Sequence, residues 1–249
     1  MPELPEAERA RTLIADHAVG RRIVAVEESD AYVCRPHGTG EIAEALVGRR
    51  LVRANRVGKT LWCEIDGDGP DLGLHLGMAG RIAINEDPHA RWDRFALTFE
   101  DGTRMALRDK RRLGRAILAP DLSRLGPDAA VATRAEFRAR VGRGAGPIKA
   151  RIMSQSVIAG IGNLLADETL WQARIDPRRP ARELSERELD ELRRAMRAAV
   201  RQAVRNGGAH TGTLIPSRAR DGHCPRCGTP LSRTRIGGRT TYWCPHDQQ

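Results

Sequence analysis

The chain has 249 residues, with 42 Lys and Arg against 32 Asp and Glu, giving a formal net charge of +10 and a pI of about 10.3. That length accommodates two modest domains, and that charge favours a polyanionic partner, nucleic acid first among them. No apolar run approaches the ~18–20 residues needed to span a bilayer, and the acidic start Met1-Pro2-Glu3 is not a signal peptide, so a cytoplasmic protein is expected.

The elements follow in order. Pro5 suits the first turn of a helix, Glu6 complements its dipole, Leu13 and Ile14 give an apolar face, and Gly20 can end it. From Arg21 to about Leu118 the pattern is strand-like. Ile23, Val24 and Val26 open a strand, Leu51 to Ile65 reads as a long hairpin arm or a pair of strands, and Leu72 to Ile84 alternates around Gly77 and Gly80. Phe95 to Phe99 leads into the turn Asp101-Gly102. Short antiparallel strands at this spacing predict a sandwich or barrel. Turn residues Leu125-Gly126-Pro127-Asp128 mark a change to helix, with capping boxes at Thr133/Glu136 and Ser185/Glu188. Apolar residues from Leu189 to Ala203 keep a helical period until Asn206-Gly207-Gly208 stops it. Between these helices, Gly160-Ile161-Gly162-Asn163 is too glycine-rich for continuous helix and suits two tight turns. The organisation is α+β: a β-rich domain over 2–120, a linker over 121–132, a helical domain over 133–215 and a ribbon over 216–249.

Two features carry chemistry. Pro2 follows an initiator whose removal exposes a secondary amine beside the carboxylate of Glu3. An α-amino group titrates near ~7.7–8.0 against a lysine's ~10.4, so much of it is an unprotonated nucleophile at neutral pH. At the other end, Cys224-Pro225-Arg226-Cys227 and Cys244 have zinc-ribbon spacing, which predicts one structural Zn2+ in a reducing compartment. Cys34 and Cys63 stand apart as packing residues. Arginine outnumbers lysine heavily, which genome composition can produce. Lys59 is one of only three lysines, so its retention in a strand-turn pattern points to a role.

Pro2-Glu3-Leu4-Pro5-Glu6, Gly58-Lys59, His75-Leu76-Gly77-Met78-Ala79-Gly80, Asp109-Lys110-Arg111-Arg112-Leu113-Gly114, Gly160-Ile161-Gly162-Asn163 with Ala166-Asp167-Glu168, and the terminal ribbon occur in an order that resembles the formamidopyrimidine-DNA glycosylase and endonuclease VIII family. The resemblance runs over essentially the whole chain. It implies an N-terminal β-sandwich with a flanking helix, a helix–two-turns–helix domain and a zinc ribbon. It implies a monomeric base-excision repair enzyme acting on damaged double-stranded DNA in the cytoplasm, at the nucleoid. Pro2 is then the nucleophile, Glu3 a proton shuttle and Lys59 a contact to the phosphate beside the lesion. Met78, Arg111 and Leu113 fill the gap left by a flipped nucleotide, and Lys149, Asn163 and Arg239 contact DNA. The rival reading is a catalytically silent DNA-binding ribbon protein on the same scaffold.

Three departures bear on these expectations. Leu113 stands where the family commonly has Phe. Asp247 stands where the fourth zinc-binding Cys is expected, with His246 beside it as the alternative donor. Only fifteen residues, 209–223, join the helix end to Cys224, which is short for a loop that closes over 8-oxoguanine.

Overall fold

The computed structural model describes residues 2–28, 30–89 and 91–249. Its contacts group into two compact units, one formed by Pro2 with residues 6–122 and the other by residues 3–5 with 123–249.

The first unit carries most of helix α1 (Leu4–His17), with Glu6 in its first turn. Strands β1 (Ile23–Glu27), β6 (Asp93–Phe99), β7 (Arg104–Arg108) and β5 (Arg81–Ile84) form one antiparallel sheet in that order. Strands β2 (Leu51–Val57), β3 (Thr60–Ile65), β4 (Leu72–His75) and β8 (Arg115–Leu118) form the other. Strand β3 shows how sequence makes the layer: Leu61, Cys63 and Ile65 alternate inward while Thr60, Trp62 and Glu64 are only partly covered. Those inward residues join Leu72, Leu74 and Ala116 of the same sheet and Ile23, Phe95, Leu97, Phe99 and Leu107 of the other in one apolar cluster. Each fully buried Leu or Phe contributes about 1.5–3 kcal/mol to holding the two layers together. The result is the expected sandwich.

Two short helices interrupt the strand-like stretch, α2 (Ala31–Cys34) and α3 (Glu41–Leu46). At four and six residues they are too brief to show a helical period. Asp30 starts α2 by accepting the Tyr32 amide at 3.1 Å, and Val33, Cys34, Ile42 and Leu46 are buried. Burial pushes the Cys34 and Cys63 thiols up to about 12, which leaves them inert as packing groups.

The second unit contains α4 (Arg134–Val141), α5 (Ile148–Met153), α6 (Asn163–Ala173) and α7 (Glu186–Arg205). Both capping boxes form, at Thr133 with Glu136 and at Ser185 with Glu188. Phe137, Ile152, Leu165, Leu170, Leu192 and Met196 belong to its core, which also takes in Leu4. Hairpin strands β9 (Ser232–Ile236) and β10 (Arg239–Trp243) follow, joined by Gly237 and Gly238, both at positive φ. No helix among the described residues is long and apolar enough to cross a membrane.

Candidate functional site

In the first unit, Lys59 lies in the two-residue turn between β2 and β3, where Gly58 takes φ +60°. The residue after it, Thr60, pairs with His75 on β4, and His75 pairs with Arg115 on β8. The Gly77 amide donates to His75 Nδ1 at 2.9 Å, so the neutral ring carries its proton on Nε2. Burial, and then the Lys59 ammonium, hold the imidazole below its ordinary value of 6.5. His75 thus presents a neutral donor beside a lysine. Its part was not legible in the chain, because the pairing that brings it next to the Gly58-Lys59 turn is long-range.

Met78 and Leu113 come from separate loops that press backbone to backbone. A Cβ at Gly77 would lie 2.4 Å from the Leu113 carbonyl carbon, and Gly77 itself sits at φ +60°, so glycine is required twice over. Met78 is half-buried, Arg111 is exposed and Leu113 is 37% exposed. Asp109 shapes the second loop from below. Fully buried, it accepts the amides of Arg111 at 2.9 Å, Leu113 at 2.8 Å and Gly114 at 2.7 Å. This organising carboxylate was missed as a functional residue, although an Asp two residues before a turn is a recognised signal.

In the second unit, the Glu3 side chain is fully buried at the start of α6. Its Oε1 accepts the Leu164 amide at 2.8 Å, and Oε2 accepts those of Gly162 at 3.0 Å and Leu165 at 3.1 Å. These are orphan donors of a helix N-terminus, where negative charge is stabilised. The Leu4 amide donates to Gly160 O at 3.1 Å, so the chain directly after Pro2 is clamped to the glycine turn at two points.

Lys149, expected to reach DNA, is instead fully buried. Its ammonium donates to Asn163 Oδ1 at 2.8 Å and Thr241 Oγ1 at 2.7 Å, and pairs with Asp167 Oδ1 at 2.7 Å. Burial lowers its pKa, opposed by Asp167. Asp167 in turn accepts Arg218 Nε at 2.8 Å and the Tyr242 amide at 3.1 Å. Helix α6, the 209–223 connection and β10 are therefore tied through one buried charge network. Because Lys149 holds the oxygen of Asn163, the amide NH2 of that side chain is turned away from the lysine. Arg239 is exposed directly after the Gly237-Gly238 turn.

The ribbon thiols of Cys224, Cys227 and Cys244 lie within 4.8 Å of one another, with Cys227 and Cys244 Sγ atoms 3.5 Å apart. Tetrahedral zinc with ~2.3 Å bonds to sulfur needs thiolates about 3.8 Å apart, so the three residues fit one structural zinc. Trp171 Nε1 donates to Cys224 Sγ at 3.3 Å, the kind of outer donor that orients a thiolate ligand. The group closes at three among the described residues. Asp247 is paired with Arg226 and lies 3.7 Å from Arg174, and neither it nor His246 joins the thiols. The arginine at 226 competes for the carboxylate, which ligand spacing alone does not reveal.

Once Met1 is removed, Pro2 offers a secondary amine one residue from a carboxylate gripped by three amides, which suits imine chemistry, and the exposed basic loops suit a sugar-phosphate substrate. Together with the ribbon, this defines the class of DNA glycosylases that also act as lyases. Comparison with known proteins agrees. The formamidopyrimidine-DNA glycosylase N-terminal domain matches residues 1–116, the H2TH domain of the same enzymes residues 125–214, and the zinc finger found in FPG and IleRS residues 223–249. The formamidopyrimidine-DNA glycosylase of Roseiflexus sp. is 36% identical, with all of both chains covered, and that of Thermus thermophilus is 35% identical over 98% of this chain and 97% of its own. The Lactococcus lactis Fpg bound to DNA containing an abasic site has a TM-score of 0.87 at 26% identity, covering 99% of each chain. The same enzyme with DNA containing an oxidised pyrimidine has a TM-score of 0.88 at 26% identity, covering 100% of each chain. The chain belongs to the formamidopyrimidine-DNA glycosylase family, whose members are DNA N-glycosylases with abasic-site lyase activity.

Proposed function

We propose that this chain, as a monomer in the cytoplasm, excises oxidised bases from double-stranded DNA and cleaves the resulting abasic site through an imine on Pro2. Removal of Met1, which lies outside the described residues, frees the proline nitrogen. That nitrogen attacks C1′, the bond from C1′ to the base breaks, and the base leaves with a proton. The C1′–O4′ bond then breaks and O4′ takes a proton, and because the amine is secondary the product is a cationic iminium, which draws electrons from the sugar and acidifies the C2′ hydrogens. Loss of a C2′ proton expels the 3′ phosphate, and a second elimination expels the 5′ phosphate. Glu3 moves protons to and from the opened sugar oxygen.

The observation that carries this reading is the anchoring of Glu3 by the amides of Gly162, Leu164 and Leu165, one residue from the nucleophile. A position fixed to within hydrogen-bond tolerance is what proton transfer and attack on C1′ require. In the first unit, Lys59 and the Nε2–H of His75 take phosphate oxygens beside the lesion. Met78, Arg111 and Leu113 enter the emptied stack, with Arg111 meeting the orphaned base. The amide of Asn163 and the guanidinium of Arg239 take further phosphates. Lys149 serves by holding Asn163, and Asp247 is the fourth zinc donor by register, with His246 as the alternative.

Borohydride reduction in the presence of abasic-site DNA tests the reading. An irreversible adduct on the N-terminal peptide is expected. An adduct on Lys59, or none, rules out Pro2, and the second outcome favours a silent DNA-binding scaffold.

A further inference from the structure

Thr60, His75 and Arg115 stand side by side on three neighbouring strands, on the face of the sheet opposite the core. The row does not stop at Arg115. Its guanidinium lies 4.9 Å from the centroid of the Tyr32 ring, and that of Arg35 lies 3.6 Å from the same centroid. Tyr32 remains 46% exposed, and Arg35 is exposed while donating to the Tyr32 carbonyl oxygen at 2.8 Å. The platform is built rather than loose. Asp30 caps α2, receives Arg112 through bonds of 2.7 and 2.8 Å, and lies 3.4 Å from Arg94.

The charges are unbalanced. Among the described residues neither Arg35 nor Arg115 forms an ion pair, and Asp30 is engaged by other arginines. Three guanidiniums approach one exposed ring: that of Arg112, at 5.7 Å, is paired with Asp30, while those of Arg35 and Arg115 repel each other unless a counter-charge lies against them. The ring face eases that cost, as cation–π contact does at exposed sites, but does not cancel it.

We propose that Arg115, Tyr32 and Arg35 prolong the phosphate contacts of Lys59 and His75 into a track for the lesion-bearing strand. Adjacent strands are ~4.8 Å apart, so the step from β3 to β8 covers roughly 10 Å, enough to pass from one phosphate of a strand to the next. Arg115 and Arg35 then meet successive phosphates beyond the one held by Lys59, and the Tyr32 ring keeps both guanidiniums aimed outward. A surface continuous with groups that hold the damaged strand follows that strand, so this inference rests on the function proposed above.

The test is equilibrium binding of the full chain to a duplex carrying a stable abasic analogue, measured against salt concentration. Arg35→Gln and Arg115→Gln should each reduce the slope of log affinity against log salt by about one, and Arg115→Lys should restore it. A single uncharged methylphosphonate in the lesion strand that weakens the unaltered protein several-fold should cost the double Gln variant nothing more. Unchanged slopes, or sensitivity confined to methylphosphonates in the complementary strand, overturn the track. So does failure of Arg115→Lys to restore the slope when thermal unfolding is unaltered. Borohydride trapping by the unaltered protein is scored separately: if it fails while the slopes still fall, the repair reading is lost and the phosphate surface stands.

Discussion

The Glu3 carboxylate fills the space that a side chain at residue 162 would need: a Cβ on Gly162 would lie 2.3 Å from Glu3 Cδ. The glycine of the turn and the carboxylate after Pro2 are therefore one device. Gly162→Ala should push Glu3 off the amides of Gly162, Leu164 and Leu165 while leaving the apolar core of the helical unit untouched. A displacement near 1 Å at such a group costs on the order of 10²-fold in rate. Base excision should fall by about that factor, and strand cleavage at a pre-formed abasic site should fall less, because the base has already left. Equal losses in both assays would show a general packing defect instead.

Lys149 and Asn163 allow stability to be separated from binding. Lys149→Met takes the ammonium from buried Asp167, which keeps only Arg218, so the cost approaches but stays below the ~3–5 kcal/mol of a fully broken buried pair. The melting temperature should drop sharply. Asn163→Asp keeps an oxygen for Lys149 and places a carboxylate at the helix N-terminus, but removes the NH2 donor. It should melt within a few degrees of the parent yet bind abasic-site DNA at least ~10-fold more weakly. Undiminished binding by Asn163→Asp would remove Asn163 from the phosphate contacts.

What could be read from the chain was local, and what could not was long-range. The capping boxes at Thr133 and Ser185, the turns at Gly58-Lys59 and Asp101-Gly102, and the alternation of β3 all depend on residues within a few positions of one another. The Cys224, Cys227 and Cys244 set was equally legible, since metal spacing is a short-range code. Lys149 was not. Its fate is decided by Thr241, 92 residues away, and a lysine's sequence neighbours do not say whether its ammonium is buried. His75 also owes its role to distant strand partners, whereas Asp109 binds amides within five residues and carried a local turn signal. The Asp247 carboxylate was read by register alone, whereas its pairing with Arg226 depends on how the ribbon closes.

His75 should titrate below 6.5, because burial and the Lys59 charge both oppose protonation. The sign follows. The folded state binds the proton more weakly than the unfolded chain, so the stability this residue confers is complete above about 6.5 and lost as pH falls below it. Proton NMR of the imidazole should give a midpoint under 6.5, moving upward in Lys59→Met. A midpoint at 6.5 that ignores Lys59→Met would separate the two side chains. The fall in melting temperature on the acid side should be shallower in His75→Gln.

The final prediction concerns the ribbon metal. Three thiols converge, Cys224 receives the Trp171 N–H, and the residue at the fourth register position has its carboxylate held by Arg226. A structural zinc is normally closed by four protein donors, and its binding energy is folding energy for the ribbon. Cys244→Ser should therefore lose zinc and release the β9–β10 hairpin, and with it Arg239. Asp247→Cys replaces a hard oxygen occupied by an arginine with a thiolate, completing a four-sulfur set. It should raise zinc affinity by at least ~10-fold in competition with a chelator, at one zinc per chain. Asp247→Ala should weaken zinc retention by a smaller factor, because Arg226 already competes for the carboxylate. If Asp247→Cys leaves affinity unchanged while His246→Ala lowers it, the fourth donor is the imidazole at 246, and the Asp247–Arg226 pair acts only as a clasp on the last turn of the chain.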